Sequence, residues 1–462
     1  MNNHPNISSF HHALKVDTDI CTACSHCMRN CPTEAIRIRQ GKAVIDPARC
    51  VDCGQCYSVC PSGAIYVEQD DFNDLLRFRF KIAIVPMVFW GQFDSRYDFD
   101  TIRRAIKMLG FDAVFPGEYS TGLLNELMIE YIHSHPDVRP LISCFCPAIV
   151  RLIQVRFPSL TPNLIPLRQP LDLTAIYLRK TFTDTYSCQS NEIGIFYITP
   201  CAAKIAAIKS PVGEENSAID GVLNLNLFYN RVRKILNTPD VWTAAPDEKT
   251  LDLSAIEVKW THTGGEKNNM PFGGAAIDGM SSVIAFLEQV EDEKFTGFDF
   301  LELRACDESC PGGILTVANR FWVVDRMQSM AKKLPDSTKS QKLEPYSNYL
   351  KQHAYIEPIE PRGMQQLDPD PRKAYQKLQH LENLAKMLPG IDCGVCGAPT
   401  CRALAEDVVN HQASISDCYF VHMSLAKNGR KPYERSLKIN ENIWGKKWPD
   451  PDFFKEGEDY DS

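Results

Sequence analysis

One cysteine spacing, C-x2-C-x2-C-x3-C-P, occurs twice near the start of the chain and restricts its fold more than any other feature. Cys21, Cys24, Cys27 and Cys31 precede Pro32, and Cys50, Cys53, Cys56 and Cys60 precede Pro61. Three thiolates so spaced wrap one face of a 4Fe-4S cubane, while the fourth, carried past by the turn before proline, reaches a neighbouring cluster. The expected ligand sets are therefore crossed: Cys21, Cys24, Cys27 and Cys60 on one cluster, and Cys50, Cys53, Cys56 and Cys31 on the other. Zinc is the alternative, because C-x2-C pairs also bind it. Ala35-Ile-Arg-Ile-Arg and Ala64-Ile-Tyr-Val-Glu alternate as short strands, with Gly41 and Gly63 as turn residues.

The chain of 462 residues holds 18 cysteines. Its first residues, Met1-Asn-Asn-His-Pro, lack the basic and apolar regions of a signal peptide, and no stretch approaches the roughly 20 apolar residues of a membrane span. We therefore expect a cytoplasmic chain, in which metal ligation or redox chemistry is a better prior for cysteine than a disulfide framework. Fifty basic and 58 acidic residues leave a net charge of −8. This argues against a nucleic-acid surface and leaves small molecules or proteins as partners.

Near the C-terminus Cys393, Cys396, Cys401 and Cys418 have the spacing C-x2-C-x4-C-x16-C, which again suits one cluster, with zinc as the alternative. A helix expected from Ala403 to Asn410 carries the chain back to Cys418. Residues 331–372, rich in Lys, Pro, Asp and Gln, read as a linker or extended wrap. Six cysteines remain: Cys144, Cys146, Cys188, Cys201, Cys306 and Cys310. Cys188 has no partner at metal-ligand spacing and reads as structural. His11, His12 and His26 read as ordinary surface or core histidines, and the acidic tail from Glu456 to Asp461 as a solvated segment.

The middle of the chain alternates as an α/β domain: a buried strand over 80–89, an amphipathic helix over 99–110 and a strand over 111–116. Strands at 139–143 and 192–199 each run straight into cysteine, in Ser143-Cys-Phe-Cys-Pro and Thr199-Pro-Cys-Ala-Ala-Lys. The ends of such strands are where α/β folds place ligands. A third piece is Leu301-Glu-Leu-Arg-Ala-Cys306-Asp-Glu-Ser-Cys310-Pro-Gly-Gly, whose glycine pair lets backbone approach a bulky group.

These three pieces, in this order, resemble the signature motifs of FeFe hydrogenases, and residues 15–68 resemble a bacterial dicluster ferredoxin. Asp392-Cys-Gly-Val-Cys-Gly-Ala-Pro-Thr-Cys is similar to the small 4Fe-4S domain appended to several anaerobic redox enzymes. Met270-Pro-Phe-Gly-Gly-Ala-Ala-Ile-Asp-Gly-Met is similar to a glycine-containing stretch of the hydrogenase family. The resemblance implies a dicluster ferredoxin-like domain over 1–77, a two-lobed α/β H-cluster domain over 78–330, a linker over 331–372 and a small helical C-terminal 4Fe-4S domain with tail over 373–462. It implies an H-cluster, a 4Fe-4S cubane joined to a diiron unit with CO, CN and azadithiolate ligands. By motif position Cys146, Cys201, Cys306 and Cys310 would hold the cubane, and Cys310 would bridge to the diiron unit. Lys204 stands where the family has a lysine that hydrogen-bonds a cyanide, and Glu302 where it has a glutamate on the proton route.

The sequence also departs from the family pattern. Phe145 stands at the proton-relay cysteine and Ala207 at a glutamate. Arg304 and Thr199 replace methionines, and Ile149 a tryptophan. Cys144 lies one residue before Phe145, and in extended chain its side chain points to the same side as that of Cys146, so it is the substitute relay to consider. A relay is worth a factor of about 10² to 10⁴ in rate, so its loss with every metal ligand kept implies slow H2 chemistry of the sensory type. The resemblance then implies H2 and protons as substrates, diiron maturation proteins, and a separate kinase or phosphatase as output partner. Two other readings compete: a working hydrogenase that uses Cys144 or a water chain and exchanges electrons with ferredoxin, and an iron–sulfur electron carrier or scaffold without the diiron unit.

Overall fold

The computed structural model describes residues 10–243, 252–292, 294, 297–336, 341–362, 367–430, 432 and 434–446. The first nine residues and the acidic tail lie outside them. The chain divides into two compact units. One comprises Met1–Leu14, Val51–Gly54 and Val67–Gly363, and the other Lys15–Cys50, Gln55–Tyr66 and Met364–Ser462.

In chain order the strands of the described residues are β1 Leu14–Val16, β2 Ile36–Arg39, β3 Lys42–Ile45, β4 Ile65–Val67, β5 Phe80–Val85, β6 Ala113–Pro116, β7 Leu141–Ile142, β8 Ile193–Thr199, β9 Gly221–Asn224, β10 Gly274–Ile277 and β11 Phe300–Leu303. The first unit holds two parallel sheets, ordered β6-β5-β8-β9 and β10-β11-β7. All of β8 and the last four residues of β5 are buried, as the near-continuous apolar run of a strand covered on both faces requires.

Proline shortens two of the expected strands. The strand expected over 80–89 ends at Val85, because Pro86 has no N–H for the ladder, and Met87–Trp90 turns into a short helix. Pro140 likewise reduces 139–143 to Leu141 and Ile142. The helix expected over 99–110 runs from Phe99 to Lys107 and is capped by Asp98, which accepts from the Thr101 N–H at 2.7 Å. The glycine-containing stretch after Met270 forms the edge strand β10. There a Cβ on Gly274 would stand 2.5 Å from the Phe300 carbonyl oxygen.

Much of the segment read as linker or extended wrap is packed. Leu343, Leu350, Ala354 and Ile359 are buried, and the Ile356 N–H donates to the Pro166 carbonyl at 3.0 Å. Leu343, Tyr346 and Leu350 stand at helical spacing, and Ser347–Gln352 forms a short helix within this segment. The helix Pro371–Met387 already begins inside the same segment.

In the second unit, β2 and β3 form a hairpin with Arg39 opposite Lys42. The doubled cysteine run repeats in its backbone as well as its spacing. Ala23, Ser25 and Glu34 have positive φ, and so do Asp52, Gly54 and Gly63, their counterparts in the second run. A side chain held in that region is strained, so the recurrence shows that each run is shaped by the same loop around its cysteines.

Candidate cluster sites

Each of the three cysteine-bearing motifs begins where a parallel strand ends. After β7, Cys146 caps the helix α1 Pro147–Arg156, with Pro147 in its first turn. After β8, Cys201 caps α2 Ala202–Lys209, and the Thr199 hydroxyl accepts from the Cys201 N–H at 3.2 Å. After β11 come Cys306 and Cys310, with Glu308 and Ser309 between them at positive φ. A Cβ on Gly312 would stand 1.9 Å from the Asp307 oxygen, and one on Gly313 would stand 2.7 Å from the Pro200 oxygen. The glycine pair therefore lets the third motif close on the second, where the Leu315 N–H donates to Pro200 at 3.0 Å.

The folding of these strand ends gathers Cys146, Cys201, Cys306 and Cys310, whose charges act on one another. Burial pushes the Cys201, Cys306 and Cys310 thiols up, Cys310 to about 12, and the neighbouring sulfurs add to this. Lys204 works in the opposite direction at Cys201 and Cys310. Four cysteine sulfurs gathered in one buried site, with Lys204 favouring the thiolate form of Cys201 and Cys310, are a donor set that fits an iron–sulfur cubane. Cys53 also acts on Cys306.

Two buried cations border this set. Lys204 Nζ lies 4.3 Å and the Arg304 guanidinium 3.9 Å from the centre of the Phe145 ring, and the charge of each reaches Cys310. Arg304 Nη1 has no hydrogen-bond partner among the described residues. A pocket with spare positive donors beside Cys310 fits an anionic ligand set of the cyanide-bearing kind. Phe145 borders these cations with a ring that has no ionisable proton.

Glu302 and Glu266 hold Arg304 in place. Arg304 Nε donates to Glu302 at 3.2 Å and Nη2 to Glu266 at 2.6 Å. The Glu302 carboxylate also accepts from the N–H groups of Gly264, Glu266 and Lys267 at 3.0, 2.9 and 2.9 Å. Glu302, expected on a proton route, is thus engaged as an anchor for the 264–267 turn. Burial raises the pKa of Glu266, with Arg304 opposing, and its carboxylate accepts from the Ser143 hydroxyl at 2.7 Å.

An open cleft of about 650 Å³ is lined by Arg168, Glu214, Asp172, Ala207, Lys204 and Cys144 among others. A smaller cavity of about 280 Å³ includes Ser143, Phe145 and Glu266, and it shares Cys144 with the cleft. Cys144 therefore lies between the two spaces. Burial, with help from Glu266, pushes its thiol well above the ordinary range. Ala207 leaves the cleft wall apolar where the resemblance implies a glutamate, and Asp172 supplies a carboxyl there, pushed up to about 6 by burial.

The cysteines of the first run that were expected to share a cluster come together. At Cys27 burial raises the thiol to about 11, and Cys24, Cys21 and Cys60 all act on it. The C-terminal four are gathered in the same way. Cys418 and Cys393 act on Cys396, which burial pushes up to about 11, and Cys401 and Cys393 act on Cys418. Cys31, Cys50 and Cys56 belong to the second unit and Cys53 to the first. The Cys31 sulfur accepts from the Ala35 N–H at 3.2 Å.

Several buried groups at these sites were not foreseen from the sequence. Asp52, inside the Cys50-Val-Asp-Cys53 turn, accepts from His12 Nδ1 at 2.7 Å, Arg151 Nη1 at 2.9 Å and the Ala13 N–H at 3.0 Å. Burial opposes its charge, but His12, Arg151 and the backbone outweigh it and lower the pKa. This links the turn before Cys53 to the helix that follows Cys146. His12 is thus occupied with a carboxylate. Glu118, Asp172 and Glu266 lie far from the motifs in sequence, and no local pattern marked them.

Comparison with known families gives three matches. Residues 82–252 match the model for the iron only hydrogenase large subunit, C-terminal domain, residues 13–67 match the 4Fe-4S dicluster domain, and residues 388–420 match an Fe-S cluster family. An uncharacterized protein of Methanocaldococcus jannaschii is 31% identical over 67 residues, 14% of this chain and 30% of that protein. The chain thus spans less than a third of the length of this curated relative. Two variants of the FeFe-hydrogenase HydA1 from Chlamydomonas reinhardtii align over 64% of this chain and 97% of theirs, at 13% and 12% identity with TM-scores of 0.47 and 0.48. No helix of the described residues is long and apolar enough to cross a membrane. A segment similar to the iron only hydrogenase large subunit is thus flanked by segments similar to a 4Fe-4S dicluster domain and to an Fe-S cluster family.

Proposed function

We propose that this chain splits H2 reversibly but slowly at an H-cluster, and that it signals H2 to a separate protein, such as a kinase or phosphatase, through its 4Fe-4S clusters. The observation that carries the reading is the gathering of Cys146, Cys201, Cys306 and Cys310 beside Lys204 and Arg304, with Phe145 between these cations and no relay thiol in its place. On this reading the four cysteines hold the cubane, and Cys310 also reaches the diiron unit. Two further clusters take Cys21, Cys24, Cys27 and Cys60, and Cys50, Cys53, Cys56 and Cys31. A third takes Cys393, Cys396, Cys401 and Cys418.

When bound, the diiron group supplies the metal at which H2 is polarised and its electrons accepted. The chain's own residues do the rest. Lys204 and Arg304, whose Nη1 has no hydrogen-bond partner among the described residues, would offer positive donors to an anionic ligand set, and the apolar ring of Phe145 would keep water from the pocket. Glu302 and Glu266 keep Arg304 charged and fixed.

The slow rate follows from the missing relay. Phe145→Cys is expected to raise H2 evolution about 10²-fold or more, while Phe145→Ala, which removes the ring without adding a titratable group, leaves it low. Both are measured on protein matured with its diiron unit. Equal rates in the two variants would show that the relay does not limit turnover.

A faster, ferredoxin-linked hydrogenase is the second reading, favoured by the position of Cys144 between the cleft and the inner cavity. It predicts high turnover in the unaltered protein and its loss in Cys144→Ala.

A further inference from the structure

The C-terminal cysteines share the second unit with the first ferredoxin-type set, and the segments that carry the two sets touch. Arg29, two residues after Cys27, donates from Nη2 to the Cys393 carbonyl at 3.3 Å. Met28, between them, packs its Cε 3.1 Å from where a Cβ on Gly394 would stand. On the other side of the same loop, the Ile38 N–H donates to the Gly397 carbonyl at 2.8 Å, and Arg39 Nη1 donates to that oxygen at 3.0 Å. The Arg39 charge also acts on the Cys396 thiol.

The hairpin that meets Gly397 continues to the first cysteine set. Arg39 stands opposite Lys42, whose Nζ donates to the Cys21 carbonyl at 3.0 Å, and the Ala43 N–H donates to the Cys21 sulfur at 3.4 Å. Gly397 itself, at φ +73, must be glycine, since a Cβ would stand 2.3 Å from the Ile38 carbonyl oxygen. Cys27 connects to Cys393 through the Arg29 side chain and one hydrogen bond, and Cys21 connects to Cys396 across the hairpin and through the Arg39 side chain. Electron tunnelling falls off steeply with the separation of two centres, and cysteine-bearing loops packed directly on one another keep that separation small.

Resting on the cluster reading above, we propose that the C-terminal cluster is the direct electron-exchange neighbour of the cluster on Cys21, Cys24, Cys27 and Cys60. One electron passes from whichever of the two is reduced to the one that is oxidised, with no bond made or broken. The C-terminal domain is then an extension of the ferredoxin module's own electron path, and Met28–Arg29 and Arg39–Ala43 are the contacts that carry it.

The test is electron paramagnetic resonance of the anaerobically reconstituted, dithionite-reduced full chain, beside a Cys393→Ala, Cys396→Ala variant and a Cys21→Ala, Cys24→Ala variant, with iron counted in each. In the unaltered chain the C-terminal cluster should give a broadened, fast-relaxing signal, split by its neighbour's spin. In the variant lacking Cys21 and Cys24 the same signal should become narrow and saturate at lower microwave power. A C-terminal signal that is narrow and slow-relaxing whether or not the first cluster is present overturns the proposal. Equal iron in the unaltered chain and the Cys393, Cys396 variant overturns the cluster reading itself. If the Cys21, Cys24 variant does not fold, the width and relaxation of the unaltered chain's signal, isolated by subtracting the Cys393, Cys396 spectrum, still decide.

Discussion

A carboxyl group buried with few donors resists losing its proton, and Glu118 is in that position. It is buried, its carboxylate accepts from the Met87 N–H at 2.9 Å, and burial raises its pKa to about 7, with Lys204 opposing. In the unfolded chain a glutamate ionises near pH 4.3. Between these values the folded chain holds a proton that the unfolded chain has lost. The stability from this group is therefore present in full below about pH 4.3 and is gone once the pH has risen through 7. Glu118→Gln should flatten the loss, whose slope approaches about 1.4 kcal/mol per pH unit, when urea midpoints are compared anaerobically between pH 5 and pH 7.5. Equal slopes in both proteins would mean that Glu118 is ionised throughout.

Glu302 is an anchor, since three backbone N–H groups and Arg304 donate to its carboxylate. Glu302→Gln replaces one acceptor oxygen with a donor facing other donors, at a cost of about 1–3 kcal/mol. Hydrogen exchange at Gly264, Glu266 and Lys267 should quicken together; no change there would remove the anchoring role.

Among the elements, the helix α3 Cys401–Val409 is held to β2 by charge. Asp407, buried, accepts from Arg37 Nε at 2.7 Å and Nη2 at 3.1 Å, and from Arg39 Nη2 at 2.5 Å, while Arg49 pairs with Glu406. Removing the carboxylate leaves two half-buried arginines without their shared acceptor, at a cost of about 1–3 kcal/mol. Asp407→Ala should therefore loosen α3 and β2 together in hydrogen exchange of the full chain, while β5 and β8 keep their protection. Loss confined to α3 would show that β2 does not depend on the clamp. This is also where sequence reading stops. The helix over 403–410 was visible from its apolar spacing, but the attachment of this helix to Arg37 and Arg39 joins residues some 370 positions apart, and nothing local encodes it.

At the scale of the whole molecule, what could be read early was what covalent spacing dictates. Cysteine runs repeat at fixed intervals because a cluster has a fixed size, and strands that end in cysteine announce a site at the strand ends. Residues that matter through tertiary contact were silent: Glu266 and Glu118 reach the Lys204 pocket from separate loops, and Asp52 acquires its meaning only when Arg151 and His12 fold onto it. The packing of the segment over 341–362 is likewise tertiary, with Leu343 and Leu350 buried.

On the proposed reading Cys146, Cys201, Cys306 and Cys310 would hold a 4Fe-4S cubane, with a diiron group bearing CO and CN ligands beside Cys310, Lys204 and Arg304. Infrared spectroscopy in the CO and CN stretching region, on protein matured with that group, tests it most directly. On this reading bands should appear that shift when H2 is admitted and that change position in Lys204→Ala. Absence of any such bands, under maturation that succeeds on a control hydrogenase, would contradict it and leave an iron–sulfur carrier or scaffold.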